Sequence, residues 1–309
     1  MQTILGANGI IGEELAKELC TNYTQEIRLV GRNPKKVNPT DSIFKADLMD
    51  AEATKAAVKG SEIVYLTVGL PYSSQVYLNR WPAIMRNTID ACIQHNCKLV
   101  YFDNTYMYDQ STPIQTEATP FESTGKKGIA KGQAARLLLD EIQKNTITAV
   151  ICRAPEFYGP GKTKGITNSL VFENIKKGKK LKVLISDKKK RTLIYTPDAS
   201  KATALIGNTD DAYGQIWHLP CDDNRLTYQE FIALASELYG QPLSYSVLKK
   251  WILYIVSHFN DTMKETYELL PRYAIDNIFD SSKFKKRFPK FRVTTYKEGI
   301  ASILTEIKN

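Results

Sequence analysis

Short apolar runs alternate with longer segments of helical periodicity through the first half of the chain. The predicted strands are Thr3–Leu5, Ile27–Val30, Ile63–Val68, Lys98–Phe102 and Thr148–Cys152, and the predicted helices are Ile11–Leu19, Ala51–Val58, Pro82–Cys92 and Ile129–Ile142. Strands that are apolar throughout are buried on both faces, which is typical of a parallel sheet covered by helices on each side. The pattern therefore predicts an α/β fold with a doubly wound parallel sheet.

Strands and helices no longer alternate regularly after Arg153. The cluster Gly159-Pro160-Gly161 that follows is unfavourable for both helix and strand. We predict a sheet domain over residues 1–155 and a smaller α/β C-terminal lobe over 156–309. A segment at roughly 190–218 is expected to return to the sheet domain, so that the two domains interleave.

Two helices are predicted in the lobe. One covers Tyr228–Leu238, and Thr227 is suited to cap its first turn. The other contains Trp251–Val256, the most conspicuous apolar run, which is far short of the roughly 20 residues needed to span a bilayer. Lys249 and Lys250 before this run also suit a helix that lies on a membrane surface. We predict instead a buried helix and no membrane partner.

The chain is basic, with a formal net charge of +9 and a sequence pI of about 9.1. Its lysines lie in short clusters separated by acidic residues, and no zinc-finger or helix-turn-helix signature accompanies them. A basic surface also attracts phosphorylated small molecules. We therefore predict a small-molecule substrate and no nucleic-acid partner.

The numbers and spacing of the cysteines and histidines argue against a disulfide-rich protein and against a metal-binding protein. The five cysteines are an odd number without a Cys-x-x-Cys pair, and the three histidines are isolated in sequence. Neither a disulfide framework nor a metal site is expected from this spacing. Because the chain runs from Met1 directly into an apolar strand and a glycine loop, we expect no signal peptide and a cytoplasmic location.

A glycine-rich loop lies between the first strand and the first helix. Its glycines allow a tight turn, and the helix that follows offers free N–H groups and the positive end of its dipole to a pyrophosphate. This context predicts a Rossmann-type site for a dinucleotide. The predicted contacts are Gly6, Asn8, Gly9, Ile10, Ile11 and Gly12.

The end of the second strand bears on the choice between NAD and NADP. An NAD site usually has Asp or Glu there to bind the adenosine ribose. Here the residues are Gly31-Arg32-Asn33, so no acid repels a 2′-phosphate and Arg32 is able to bind one. NADP is favoured, with NAD as the alternative, because Arg32 is also able to stack on adenine without selecting a phosphate.

Together these features resemble the extended short-chain dehydrogenase/reductase family, which includes nucleotide-sugar epimerases and dehydratases. The motifs that carry the resemblance are Gly6-x-x-Gly9-x-x-Gly12, Ala46-Asp47-Leu48, Thr67-Val68-Gly69, Asn87 and Arg153-Ala154-Pro155-Glu156-Phe157-Tyr158-Gly159-Pro160-Gly161. The resemblance implies that Asp47 and Leu48 contact adenine and that Thr67, Val68 and Gly69 line the cofactor. It also implies that Pro155 lies beside the nicotinamide.

The same resemblance suggests the substrate and the assembly. Asn168-Ser169-Leu170 and Arg191-Thr192-Leu193-Ile194 are similar to the segments that hold a nucleotide-linked sugar. The implied function is an oxidoreductase or epimerase that acts on a carbonyl or hydroxyl of a small molecule, a nucleotide sugar being one candidate. A homodimer that pairs through the helices at Pro82–Cys92 and Ile129–Ile142 is also implied.

The chain departs from the family at the catalytic motif. The family uses Ser or Thr at the end of the fourth predicted strand, and Tyr-x-x-x-Lys on the next helix. In this sequence Asn104 stands at the serine position, and the helix reads Lys127-Gly128-Ile129-Ala130-Lys131. Lys131 matches the family lysine that binds the nicotinamide ribose. The tyrosine that exchanges a proton with substrate is absent.

Three interpretations are open. In the first, Tyr106 replaces the missing tyrosine, because residues 104, 106 and 108 share one side of an extended strand end. In the second, Lys127 is the acid, because Lys127 and Lys131 face the same side of a helix and each ammonium disfavours the other. In the third, the protein does not catalyse a redox reaction and is an NADP-binding sensor or regulator.

Overall fold

The computed structural model of this protein describes residues 1–308, which divide into two compact units. Unit 1 comprises Met1–Met107, Phe121–Ala154 and Ala199–Leu219; unit 2 comprises Tyr108–Pro120, Pro155–Asp198 and Pro220–Asn309. The observed division lies between Ala154 and Pro155, one residue from the predicted boundary. It differs from the prediction in two other places. Residues 108–120 belong to unit 2, and the returning segment begins at 199 rather than near 190.

The regular elements alternate in unit 1 and become short in unit 2. The strands are β1 (Gln2–Leu5), β2 (Ile27–Gly31), β3 (Ser42–Lys45), β4 (Ile63–Leu66), β5 (Lys98–Asp103), β6 (Ile114–Gln115), β7 (Ala149–Arg153), β8 (Glu156–Tyr158), β9 (Leu181–Leu184), β10 (Lys190–Arg191), β11 (Leu193–Tyr195), β12 (Ile216–His218), β13 (Leu226–Thr227), β14 (Tyr245–Leu248) and β15 (Ile278–Phe279). The α-helices are α1 (Ile10–Asn22), α2 (Ala51–Val58), α3 (Ser74–Gln94), α4 (Lys126–Gln143), α5 (Glu173–Lys176), α6 (Thr196–Gly207), α7 (Tyr228–Tyr239), α8 (Lys250–Ser257), α9 (Asp261–Tyr267), α10 (Ser282–Arg287) and α11 (Tyr296–Lys308).

Unit 1 is built on a seven-stranded sheet in the order β12-β7-β5-β4-β1-β2-β3, and every neighbouring pair is parallel. All residues of β1, β4 and β7 are buried, as expected for central strands covered on both faces. The predicted Rossmann-type doubly wound fold is confirmed. In this topology the loops that follow β1, β2, β4 and β5 all emerge at the carboxyl edge of the sheet.

Two elements of unit 1 differ from the prediction. Helix α3 begins at Ser74 rather than Pro82, so that Pro82 lies inside the helix. Proline in a helix interior removes a backbone hydrogen bond, which costs stability. Burial of the flanking Trp81 and Met85 in the core of unit 1 offsets this cost. Strand β3 was not predicted. Three of its four residues are exposed at the sheet edge, so its sequence contains no apolar run typical of a buried strand.

Unit 2 contains four two-stranded sheets and an aromatic core. Tyr158 lies at the centre of this core, with its ring centroid 5.9 Å from that of Phe231 and 5.6 Å from that of Tyr296. Helix α7 packs into the same core. Its predicted start is confirmed, because Thr227 and Glu230 form a reciprocal capping box.

The prediction that Trp251–Val256 is buried is wrong. This run forms most of α8, but Leu253 is the only buried residue of that helix, and Trp251 is largely exposed. Apolar composition cannot by itself decide burial, because burial depends on a neighbouring element that covers the helix. No helix within residues 1–308 is long and apolar enough to cross a membrane.

Candidate functional site

The loop between β1 and α1 is held against the end of β4 by glycine. Gly6 has a φ of +94°, and a Cβ at this position would lie 2.7 Å from both the N and Cα atoms of Val68. The amides of Gly6 and Ala7 donate to the carbonyl of Val30 over 3.0 and 3.3 Å. Only glycine allows this turn and this contact between backbones, because a side chain is strained at positive φ and has no space here.

Helix α1 directs unpaired amides into the loop. Its N-cap is Gly9, which has no side chain to bond the first turn, and the first helical amide to bond back is that of Glu13, 2.9 Å from the Gly9 carbonyl. The amides of Ile10, Ile11 and Gly12 therefore have no acceptor within the helix. Together with the positive end of the helix dipole they are suited to bind an anion such as a pyrophosphate.

Asn8, a predicted cofactor contact, makes a hydrogen bond across the predicted cofactor site. Its Nδ2 atom donates to the carbonyl of Asn33 over 2.6 Å, which links the glycine loop to the segment after β2. This bond joins the predicted pyrophosphate site to the predicted adenosine site.

The other two predicted cofactor segments are fixed by hydrogen bonds of unit 1. Thr67 extends the contact between β4 and β1, because its amide donates to the Leu5 carbonyl over 2.9 Å. Val68 faces Gly6, and a Cβ on Gly69 would meet nothing within 4 Å. The Asp47-Leu48 turn is tied to α3, since Asn87 Nδ2 donates to the Leu48 carbonyl over 2.9 Å.

Arg32 lies directly after β2 and is exposed. No hydrogen bond or ion pair of its guanidinium is found within the described residues. Lys45 ends β3 and is also exposed, and its register partner in β2 is Gly31, the residue before Arg32. Lys45 was missed by sequence reasoning, since the pairing of an exposed edge strand carries no local signal. The two cations make this edge of the sheet favourable for a phosphate.

The strand end after β5 forms a turn, which corrects the predicted extended geometry. Asp103 is the last residue of β5, and the Oδ1 atom of Asn104 accepts from the Tyr106 amide over 3.0 Å. The alternation that placed residues 104, 106 and 108 on one side is therefore wrong. Tyr106 is half-buried and stacks on Tyr77, with ring centroids 6.5 Å apart.

Two lysines of α4 are buried side by side. Lys127 is 0% exposed; its Nζ atom donates to Ser74 Oγ over 3.1 Å and lies 4.6 Å from the centroid of the Tyr72 ring. Lys131 is 2% exposed, and its Nζ atom lies 3.5 Å from the centroid of the Trp81 ring. Such cation–π contacts are worth more when the charge is desolvated, as it is here.

Asp103 supplies the counter-charge for Lys131. Its Oδ1 atom lies 2.7 Å from Lys131 Nζ, and its Oδ2 atom lies 3.4 Å from Arg153 Nε. Lys131 also hydrogen-bonds the Tyr101 hydroxyl. All three charged groups are buried. Asp103 was not among the predicted site residues, although an acid at the end of a buried strand was a signal that could have found it.

The protonation of Lys131 is set by this enclosure. Burial lowers the pKa of Lys131, Asp103 opposes that shift, and Arg153 adds to it. Desolvation is thus the main cause, not the neighbouring Lys127 ammonium on which the second interpretation rested. The ion pair with Asp103 favours the charged form of Lys131.

The predicted substrate residues lie in unit 2, where Asn168 has a structural contact. Its Nδ2 atom donates to the Gly159 carbonyl over 2.7 Å, and its Oδ1 atom accepts from the Gly159 amide over 3.3 Å. Asn168 therefore fixes the turn after β8. Ser169 is exposed, Leu170 is half-buried, and Pro155 is buried directly before β8.

Arg191 is engaged inside unit 2. Its Nη2 atom lies 3.1 Å from Glu156 Oε2, its Nη1 atom donates to the Arg272 carbonyl over 2.9 Å, and its guanidinium lies 4.0 Å from the centroid of the Tyr273 ring. Its charge is thus balanced by an acid of the same unit. Glu156 was not predicted as a partner, because 35 residues separate it from Arg191.

Glu156 is held as a carboxylate by several donors. It accepts from Thr167, Tyr228 and Tyr273 over 2.9, 3.1 and 2.9 Å. Burial alone would raise its pKa, but the charges of Arg191 and Arg272 hold that pKa below its usual range. Arg191, which the family resemblance assigns to the substrate, therefore faces an anion inside unit 2.

Replacing Gly6 by Ala should abolish binding of a dinucleotide, because the new Cβ strains the loop and contacts Val68. We expect a loss of more than about 2 kcal/mol in the free energy of unfolding. Gly132→Ala in α4 is the control, since a Cβ there lies 3.5 Å from the nearest atom, an ordinary contact, and Gly132 is not a predicted cofactor contact. Urea unfolding and calorimetry with cofactor measure both effects. Equal behaviour of the two variants would contradict the assignment.

Asp103→Asn should destabilise the protein far more than Lys131→Met. The first variant removes a carboxylate that pairs with two buried cations, and the loss of a buried ion-pair partner costs about 3–5 kcal/mol. The second leaves Asp103 its pair with Arg153. Urea denaturation of both variants at one pH gives the comparison. A Lys131→Met variant less stable than Asp103→Asn would show that Asp103 is not the centre of this cluster.

No group of three or more His, Cys, Asp or Glu side chains suited to a metal ion occurs within residues 1–308.

Comparison with known proteins places these features in a family. Residues 3–218 match the model of the NAD dependent epimerase/dehydratase family. An uncharacterized protein, y4nL of Sinorhizobium fredii (strain NBRC 101917 / NGR234), is 31% identical over 118 residues. That match covers 38% of this chain and 32% of the relative, so the chain matches about a third of its curated relative.

Solved structures share the fold over the whole chain at low identity. UDP-glucuronic acid 4-epimerase from Bacillus cereus in complex with NAD is 15% identical, with a TM-score of 0.79 and coverage of 100% of this chain and 99% of that chain. UDP-glucose 4-epimerase from Thermus thermophilus in complex with NAD is 17% identical, with a TM-score of 0.77 and the same coverage. A double mutant of dTDP-glucose 4,6-dehydratase from Streptomyces venezuelae is 14% identical, with a TM-score of 0.78 and coverage of 100% and 97%.

The family match extends over most of unit 1, from the glycine loop to β12, and contains the segments that form the anion site. The fold, the glycine loop and the order of the motifs along the chain agree with this match. The chain therefore belongs to the NAD dependent epimerase/dehydratase family.

Proposed function

We propose that this protein is an NAD(P)-dependent oxidoreductase or epimerase that acts on a carbonyl or hydroxyl of a small molecule. The observation that carries the proposal is the anion site formed by the free amides of Ile10, Ile11 and Gly12 beside the close contact of Gly6 with Val68. Free amides occur at the start of every helix, but here Gly9 has no side chain to cap them, and Gly6 holds the loop in front of them close to Val68. The family match supports the same cofactor class.

The residues around this site fit a dinucleotide. The pyrophosphate would be held by the amides at the start of α1, and the adenosine by the Asp47-Leu48 turn that Asn87 fixes. When bound, the nicotinamide supplies a hydride acceptor or donor. The chain itself has to place the substrate oxygen and manage its proton.

Lys127 is our candidate for that proton exchange. It occupies the position of the family tyrosine, and its Nζ atom is buried between Ser74 Oγ and the Tyr72 ring. A general acid in this position would give a proton to the substrate oxygen during reduction and take one during oxidation. Tyr106 is less suited, because it lies in a turn and its ring stacks on Tyr77.

The residues of this chain restrict the identity of the substrate less than that of the cofactor. The similar solved structures include enzymes named for UDP-glucuronic acid, UDP-glucose and dTDP-glucose, which makes a nucleotide-linked sugar one candidate. In this chain a diphosphate would have to compete with Glu156 for Arg191. This pairing favours a small carbonyl or hydroxyl compound that does not depend on Arg191.

A second candidate is a cofactor-binding sensor without turnover. It is favoured by Lys131, whose ammonium already pairs with Asp103 and Tyr101 instead of being available to a nicotinamide ribose. Such a protein would bind the coenzyme and respond to its redox state through a change in partner binding. The turnover experiment below separates the two candidates.

We expect NADP to be preferred over NAD through Arg32. Arg32→Ala should weaken NADP binding by about 1.5–3 kcal/mol, the usual worth of a hydrogen bond to a charged group, and leave NAD binding unchanged. Calorimetry with both coenzymes and their reduced forms measures this difference. Arg292→Ala removes an equal charge from an exposed position of unit 2 and serves as the control. A uniform loss for both coenzymes would contradict the proposal.

Lys127→Met should lower kcat/KM for reduction of a carbonyl substrate by about 10²–10⁴, the usual contribution of a positioned acid. Lys126→Met changes the exposed neighbouring lysine and should have no effect. Tyr106→Phe should change the rate by no more than a few-fold. The measurement is consumption of NADPH or NADH against a panel of carbonyl compounds, with thermal unfolding to verify folding.

Two results would decide against this assignment. A rate that falls with Tyr106→Phe but not with Lys127→Met would make Tyr106 the proton donor. Tight coenzyme binding without turnover on any carbonyl of the panel would favour the sensor.

A further inference from the structure

Unit 2 exposes several large apolar side chains on α8 and at Phe259, two residues after the end of that helix. Five large side chains of this segment are accessible to solvent, and all lie within nine consecutive positions. Their exposed fractions are 66% for Trp251, 53% for Tyr254, 51% for Ile255, 38% for Val256 and 88% for Phe259. We call this set the α8 surface. Isolated exposed apolar residues are normal, but a contiguous patch indicates a partner.

The α8 surface is held in place by the rest of unit 2. Strand β14 runs directly into α8 and pairs in parallel with β9, with Leu248 opposite Leu184. The Ile185 amide donates to the Leu248 carbonyl over 3.0 Å. Helix α8 also contacts α9, because the ring centroid of Tyr254 lies 6.0 Å from that of Tyr267. The aromatic side chains are thus presented by an anchored helix.

Positive charge surrounds the start of this helix. Lys249 and Lys250 open it, and the exposed Lys182 lies in the neighbouring strand opposite Ser246. No acidic residue occurs from Lys249 to Asn260; the first acid is Asp261, at the start of α9. The α8 surface therefore combines apolar side chains with a basic end, which is complementary to an anionic partner.

The size of the patch argues against a second copy of the chain as that partner. An aromatic side chain offers about 150–250 Å² of area, so five partly exposed side chains present a few hundred square ångströms. A stable protein interface needs about 800 Å² from each partner. Two copies would also bring their basic helix ends together, which like charges disfavour.

We propose that the α8 surface binds an anionic lipid bilayer. Trp251 and Tyr254 would enter the boundary between headgroups and acyl chains, where aromatic rings with a polar group are favoured, and Phe259 would insert there as an apolar side chain. Lys249 and Lys250 would lie against the phosphates of the headgroups. The helix would rest on the membrane and not cross it. This inference differs from our sequence-based prediction that the protein has no membrane partner, and it does not depend on the proposed catalytic activity.

Tryptophan fluorescence tests this inference in the full-length protein. The chain has three tryptophans; Trp81 and Trp217 are both 3% exposed, so only Trp251 is accessible to solvent. With vesicles of phosphatidylcholine and phosphatidylglycerol, the emission should shift to shorter wavelength and resist quenching by acrylamide. Vesicles of phosphatidylcholine alone should give little shift. Added salt should weaken the effect, because it screens the lysines.

Co-sedimentation with the same vesicles measures the two contributions separately. Lys249→Gln combined with Lys250→Gln should lower partitioning by about 30-fold, because each lysine near an anionic surface contributes about fivefold. Trp251→Ala combined with Phe259→Ala should abolish it. Ile114→Ala, at another exposed apolar position of unit 2, is the control and should bind as the wild type does.

Three outcomes would overturn the proposal. The first is no shift and no sedimentation with anionic vesicles. The second is equal binding by the wild type and the Trp251/Phe259 variant. The third is a shift that grows with protein concentration without vesicles, together with a dimer in analytical ultracentrifugation, which would identify a second copy as the partner. Coenzyme binding should be unaffected in all these variants, so failure of the cofactor proposal would be visible independently.

Discussion

The buried carboxylate of Asp103 is the interaction on which the centre of unit 1 depends. It lies at the end of β5 and balances two cations, Lys131 from α4 and Arg153 from β7. A charge removed from water is tolerated only when it is paired and hydrogen-bonded. Asp103 favours the charged form of Lys131 and pairs with the buried guanidinium of Arg153. One side chain therefore fixes how α4 approaches the middle of the sheet.

This arrangement gives the two lysines of α4 different capacities. Lys131 is enclosed by Asp103, Tyr101 and Trp81, so its contacts are those of a group that stabilises the fold. The Nζ atom of Lys127 contacts the Ser74 hydroxyl and an aromatic ring. A hydroxyl both donates and accepts hydrogen bonds, so it is able to pass a proton on without a lasting change of charge. The substitution of the family tyrosine by lysine is thus chemically consistent with retained proton exchange.

The sequence predicted features that depend on neighbouring residues and missed those that depend on distant ones. The glycine loop and the capping box at Thr227 were predicted because each is determined within a few positions. The turn after β5 was missed because the Asn104 side chain competes with the strand for the Tyr106 amide, as short polar side chains often do. The pairing of Arg153 with Asp103 spans 50 residues and required the folded sheet. Exposure of Trp251 depends on the lack of a covering element, which periodicity cannot reveal.

Charge compensation also distinguishes the interior of unit 2 from its surface. Arg191 pairs with Glu156 within the unit and donates to the Arg272 carbonyl, and Glu156 accepts from two tyrosines and a threonine. Lys249 and Lys250 are exposed at the start of an apolar helix whose own sequence contains no acid. An external anionic surface accounts for both properties of that helix together, since the lysines supply attraction and the aromatic rings supply insertion.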